Sequence, residues 1–434
     1  MRVLIPVDVF PPGAGGAAWS THALATALLA RGHDVTVIVP RPMPARIIPT
    51  AANHMTVPAA RHLLGVPVID VPYPTSKLPF VANWYRHEML WPLLRNVIVR
   101  EVLRGGLPPA QTIIHAQHVQ SVPGAVEAGV ELGVPVVATV RDHWPWDYFA
   151  TGLHGDRIPY PSNTVPSLAT DLVARLGPLP GTLATLAIPS MLAHLKRRQM
   201  FLARADAVVA VSRYIARRLP PAVSQERVHV LPNIVDVDAI ERVSAGPLAI
   251  NVPEPFVLFV GKLEHNKGAH LLPSIMRSAR TAIGDRGLPT LVVAGNGTLS
   301  TFLTQQCAES NIPLHILPGW TDHDDVLRLM QRAEVLLFPS AWGEPFSRVP
   351  LEASAVGACI LAMPTGGTPE IIEDDTNAVL ASDAGSMGQA LARLLLDDER
   401  RMRLRAGALR RARERWVPDV VAAQVERLYA HLMS

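Results

Sequence analysis

What this sequence has little of narrows its class before any motif is read. Its 434 residues include two cysteines, Cys307 and Cys359, too few for a disulfide framework or a zinc site. No apolar run reaches the roughly 18 residues that span a bilayer. The opening "MRVLIPVDVFPPGAGG" has one arginine and no small-residue cleavage pattern, so it does not read as a signal peptide. The expected location is cytoplasmic. A formal charge of +3 is too small to point to nucleic acid, and none is expected as a partner. Lysine is scarce: Lys77, Lys196, Lys262 and Lys267 stand against 36 arginines among 40 basic residues. Two of those lysines lie within one loop.

What is present is a repeated rhythm of short apolar run, Gly/Pro break and helix-period segment. Strands are expected at residues 2–7, 34–40, 112–116, 134–140 and 205–212, with a helix ending at Gly32. The pattern restarts at 256–262, 290–297, 314–319, 334–340 and 358–363. Near-continuous apolar strands alternating with helices argue for parallel sheets covered on both faces. The expectation is an α/β protein with an N-terminal domain over 1–230, a second domain over 231–410, and a C-terminal helix over 411–434 returning to the first. Two such halves place a ligand at the carboxyl ends of the strands. Residues 77–106 read as an amphipathic, aromatic and basic helix, and residues 160–199 as a long, apolar, proline-interrupted insertion.

Three motifs carry chemistry. "GAGG" (13–16) follows the first strand, where either a phosphate loop or a plain turn fits. The second strand lacks the acidic end of a dinucleotide site, which argues against an oxidoreductase. In "FVGKLEHNKGAHLL" (259–272), Lys262 and Lys267 form either a solvated loop or an anion site. "SAWGEPFSRVPLEASAVG" (340–357) carries two carboxylates in a largely apolar run. Glu344 lies on a tight loop after a strand. Pro350 suits the first turn of a helix, which puts Glu352 in that turn as either a cap or a ligand.

Taken together these residues resemble the retaining glycosyltransferases of family 4, whose GT-B fold has two facing Rossmann-like domains with the ligand cleft between them. The matching elements are Gly261, Lys262, Lys267 and Gly268; "VLPNIVDVDAI" (230–240); Glu344, Phe346, Glu352 and Ala353; and Gly366 to Glu370. Gly15 and Gly16 fit the N-terminal loop. The resemblance implies that Lys262 and Lys267 neutralise the donor diphosphate. It implies that Glu344 contacts the transferred sugar, that the loop backbone at Phe346, Ser347 and Arg348 holds sugar and phosphate, and that Glu352 accepts from ribose. No cofactor or metal is implied, and the substrate would be a UDP- or GDP-linked sugar. Two departures stand out. Ser347 occupies a usual glycine position, and Arg141 stands where many members have a cleft histidine, with His143 two residues on. Either Arg141 takes over that contact or His143 reaches in through a shifted loop, unless His143 merely belongs to an aromatic cluster with Trp144 and Trp146.

The implied activity is sugar transfer in glycan, glycolipid or natural-product biosynthesis, with a glycan, lipid-linked or small-molecule acceptor. Two alternatives are a GT-B-like sugar-nucleotide epimerase or phosphorolytic enzyme, and a non-catalytic nucleotide-sugar binding protein. The 77–106 helix with "HLKRRQ" (194–199) offers either peripheral membrane contact at the inner face or ordinary packing with arginines in solvent. Oligomeric state has no signal in the sequence.

Overall fold

The computed structural model describes residues 1–12, 15–44, 61–76, 79–104, 106–151, 153–154, 158–159, 163–284 and 287–434. The chain forms two compact units. Unit 1 comprises Met1–Thr151, Ser162–Ile234 and Pro418–Ser434, and unit 2 comprises Gly152–Pro161 and Val235–Val417.

In chain order the first strands are β1 (Arg2–Pro6), β2 (Asp34–Pro44), β3 (Arg61–Leu63), β4 (Val66–Thr75), β5 (Thr112–Gln117) and β6 (Val136–Val140). A two-residue pair, β7 (Leu153–His154) and β8 (Ile158–Pro159), precedes β9 (Ala207–Ala210) and β10 (Val228–Val230). Unit 1 orders its strands β10-β9-β6-β5-β1-β2-β4-β3. All pairings are parallel except the β3–β4 edge. β1 and β6 are buried along their whole length, as a sheet covered on both faces requires. β4, "VPVIDVPYPT", carries three prolines, which is why its strand signal is hard to read.

Unit 2 contains β11 (Phe256–Val260), β12 (Thr290–Ala294), β13 (Leu314–Ile316), β14 (Val335–Phe338), β15 (Ile360–Ala362) and β16 (Val379–Leu380). Their order is β13-β12-β11-β14-β15-β16, all parallel. This is the doubly wound order, with a topological switch point between β11 and β14. In unit 1 the equivalent reversal lies between β1 and β5.

The 77–106 segment forms a helix at Pro79–Trp84, a π-helical turn at Tyr85–Leu90 and a helix at Trp91–Arg104; Lys77 and Leu78 lie outside the described residues. The apolar insertion forms three helices, Val165–Leu176, Pro178–Ala184 and Ile188–Ala203; its residues 160–162 also lie outside. The C-terminal stretch divides at Pro418. The helix Asp398–Arg415 belongs to unit 2, whereas Pro418–Met433 joins unit 1. There Val421, Ala422, Val425, Leu428 and Tyr429 complete the core around β1 and β2.

Candidate functional site

At the switch point of unit 2 two loops meet, one leaving β11 and one leaving β14. Lys267 ends a single 3-10 turn, His265–Lys267. Gly268 follows with φ +73°, and a Cβ there would stand 1.8 Å from the Pro339 carbonyl oxygen. Only glycine lets these loops approach so closely. The Ala341 N–H then donates to the Asn266 carbonyl at 2.9 Å.

This closure explains how Glu344 can be buried, at 2% exposure. Its Oε1 accepts from Lys267 Nζ at 2.6 Å and from Ser340 Oγ at 2.7 Å. Burial of a carboxylate is tolerable once it is paired and hydrogen-bonded. The Lys267 ammonium also lies 5.2 Å from the centre of the Trp342 ring. A third loop, after β15, grips the Glu344 backbone. Gly366 has φ +58°, its Cβ position lies 2.2 Å from the Glu344 carbonyl oxygen, and the Gly367 N–H donates to that oxygen at 2.6 Å. "GGTPE" thus fixes the loop that carries the acid.

Glu352 lies on the helix Arg348–Ala355. It comes one residue past the first turn and is not a cap. The N-cap is Ser347, whose side chain makes no capping bond. Glu352 Oε1 accepts from Arg348 Nε at 2.9 Å, from Arg348 Nη2 at 2.6 Å and from His323 Nε2 at 3.2 Å. Burial alone would raise this carboxyl's pKa, but Arg348 and His323 hold it below the usual range. His323 is raised in turn by its bond to Glu352. Ser347 has φ −70°, an ordinary backbone that does not demand the usual glycine. Phe346 is buried edge-on to Trp416, with ring centroids 6.4 Å apart.

The other expected residues are more scattered. Gly261 follows β11, its N–H donating to the Ala294 carbonyl at 3.1 Å, and the neighbouring Lys262 is exposed, whereas Lys267 is engaged with Glu344. Gly15 is the N-cap of the helix Gly16–Ala30 in unit 1; Gly13 and Ala14 lie outside the described residues. Arg141 donates to Gln117 Oε1 at 2.7 Å and to Asn233, and it lines a cleft of about 540 Å³ in unit 1. His143 is not among the residues lining that cleft. It is buried against Trp146 and Tyr214, with its Nε2 3.3 Å from the Tyr214 hydroxyl.

The same cleft holds a cluster that sequence reading missed. His118, with φ +88°, follows β5 directly. Its Nε2 lies 2.7 Å from Asp142 and its Nδ1 3.2 Å from Asp8. Asp8 also accepts the N–H groups of Gln120 and Ser121 at 2.9 and 3.0 Å, at the start of the helix Ser121–Leu132. Burial opposes a charge on His118, yet Asp142 and Asp8 outweigh it and raise its pKa to about 10. Position was the one available signal: both Asp8 and His118 fall just past strands that flank a switch point. Among the described residues, no group of three or more His, Cys, Asp or Glu is placed to hold a metal.

Comparison with known proteins places these observations. The model named Glycosyltransferase Family 4 matches residues 14–239, over half the chain, and that of glycosyl transferases group 1 matches residues 243–411. The chain belongs to glycosyltransferase family 4. Among its relatives, glycogen synthase of Mycobacterium tuberculosis is 26% identical over 96% of this chain and 91% of the relative. D-inositol 3-phosphate glycosyltransferase of Xylanimonas cellulosilytica is 30% identical over 54% of this chain and 58% of the relative. Sucrose-phosphate synthase of Thermosynechococcus elongatus superposes with a TM-score of 0.67 at 19% identity, covering 100% and 99% of the two chains. Anabaena HepE in complex with UDP gives 0.64 at 16% identity, covering 99% and 100%. These likenesses identify the fold as GT-B, so the chain is a family 4 glycosyltransferase with two parallel-sheet α/β domains.

Proposed function

We propose that this enzyme transfers a sugar, with retention at its anomeric carbon, from a nucleoside-diphosphate sugar to an acceptor hydroxyl, and that it needs no metal. The observation that carries the reading is the Lys267–Glu344 pair at the switch point of unit 2. As the anomeric carbon–oxygen bond breaks, the electron pair stays on the diphosphate, and the Lys267 and Lys262 ammonium groups stabilise that charge. The acceptor oxygen bonds to the same face of the sugar and its proton passes to the leaving phosphate oxygen. Glu344 accepts from sugar hydroxyls, while the backbone at Phe346, Ser347 and Arg348 holds the sugar and the phosphate. Glu352, kept ionised by Arg348, accepts from ribose. Arg141 takes over the contact of the usual cleft histidine, while His143 packs with its aromatic neighbours. The bound UDP in the HepE neighbour favours a UDP-linked donor over a GDP-linked one. The acceptor, a glycan, a lipid-linked sugar or a small molecule, is assigned to the cleft in unit 1.

The test is a panel of UDP- and GDP-sugars incubated with the protein in EDTA, reading nucleoside diphosphate release and product anomer. Release of UDP with an α-linked product from an α-linked donor is expected. Epimerised nucleotide sugar, binding without turnover, or activity abolished by EDTA would each overturn the reading.

A further inference from the structure

From Asn163 to Arg204 the chain contains one acidic residue, Asp171, against five basic ones. Asp171 is buried and bonds Arg175 at 2.9 Å, one turn along the same helix. The surface of this segment therefore presents no carboxylate. Its three helices enclose a small core of their own: Leu168, Leu172, Ala184, Ile188 and Met191. Leu195 and Leu202 are buried as well, but three leucines of the middle helix and the turn after it point out. Leu179, Leu183 and Leu186 are 74%, 63% and 83% exposed. They are spaced four and three apart through the helix Pro178–Ala184 and the 3-10 turn Thr185–Ala187, so they share one face. Scattered exposed leucines are ordinary, but a face of them is not. On the next helix the exposed positions Pro189, Ala193, Lys196 and Met200 recur at the same spacing, adding a second apolar strip with one ammonium group.

We propose that this face of unit 1 docks on an anionic lipid bilayer, its leucines entering the headgroup–acyl boundary and Lys196 meeting the phosphates, while the neighbouring Arg197 is held by Glu88 at 2.7 Å. Charge decides the occupant. A protein partner is matched by charges of both signs, whereas the exposed charges of this segment are all cationic and stand beside an apolar face, the composition of an interfacial helix. The Trp91–Arg104 helix, by contrast, is ordinary packing: Trp91 is buried, Arg95 pairs with Glu131 and Arg104 with Glu101. Among the described residues no helix is long and apolar enough to cross a membrane, so the contact lies in the plane of the interface.

The experiment is co-sedimentation of the whole protein with phosphatidylglycerol or phosphatidylcholine vesicles, without any sugar donor. Wild type is expected to bind phosphatidylglycerol preferentially and to weaken with salt. The triple variant Leu179→Ser, Leu183→Ser, Leu186→Ser should lose about tenfold or more in binding. Lys196→Glu should lose about fivefold, on anionic vesicles only. Because all four side chains are exposed, melting temperature and the thermal shift with UDP should stay at wild-type values, which separates lost docking from lost folding. No wild-type binding, unchanged binding by the triple variant, or a wild-type dimer that the triple variant dissolves would overturn the proposal.

Discussion

Units 1 and 2 use one architectural address for two different chemistries. In each, the loops leaving the central strand and its neighbour across the switch point bring opposite charges together. Unit 2 sets a lysine on a buried glutamate, Lys267 on Glu344. Unit 1 sets an imidazole between two aspartates, His118 between Asp142 and Asp8. Topology fixes where a ligand group belongs, and loop residues decide which group stands there. The two sites differ in how they are written. Unit 2 draws on motifs with recognisable spacing, whereas unit 1 gathers three residues from separate strand ends.

The sharpest way to break this comparison is at Glu344. Glu344→Ala should lower kcat by about 10²–10³ while UDP still raises the melting temperature. Glu352→Ala should instead act mainly on donor affinity. Steady-state kinetics with thermal shift separates the two, and a near-wild-type kcat for Glu344→Ala would remove its assigned role.

Next in size is the glycine contrast. Gly268→Ala places a methyl 1.8 Å from the Pro339 oxygen at φ +73°, and should cost about 3 kcal/mol or more. Gly15→Ala in unit 1, with φ −66° and no described atom within 4 Å of the new carbon, should change stability by less than about 1 kcal/mol. Urea unfolding reads both, and equal losses would show that the close approach of the unit 2 loops does not matter.

The smallest effect concerns pH. The folded pKa of His118, raised from 6.5 to about 10, means that its stabilisation is complete below pH 6.5 and lost as pH rises toward 10. His87 runs the other way. Burial, with nearby His194 and arginines, lowers it to about 3, so its contribution is complete above pH 6.5 and lost as pH falls toward 3. Asp142→Asn should flatten the alkaline decline by about 1 kcal/mol and leave the acid limb alone. An unchanged alkaline slope in that variant would show that His118 is not held charged.

Much of the fold was legible because buried parallel strands are continuous apolar runs; every expected strand formed, most of them shorter at one end or both, with β2 and β5 running longer. β4 was not legible, because its prolines mimic a loop. Glu344 stood out because a carboxylate in an apolar run must have a partner, although sequence could not say that the partner was Lys267. Burial was the blind side. The Trp91 helix and the Leu179–Leu186 stretch both carry large apolar side chains, and only packing reveals that the apolar face of the first is covered and that of the second exposed. Asp8 and His118 carried no signal beyond their places after two strands, since their meeting depends on those strands being neighbours 110 residues apart in sequence.

The return of Pro418–Met433 to unit 1 has a consequence for synthesis. Tyr429, which shares a 2.6 Å hydrogen bond with His115 inside the first sheet, leaves the ribosome only after all of residues 235–417. Until then the helix Gly16–Ala30 lacks the helix that packs against it, while the unit 2 sheet already has every strand it needs. The half of the molecule that is translated first therefore receives its last element last, and a nascent chain stalled before residue 418 would lack part of the unit 1 core.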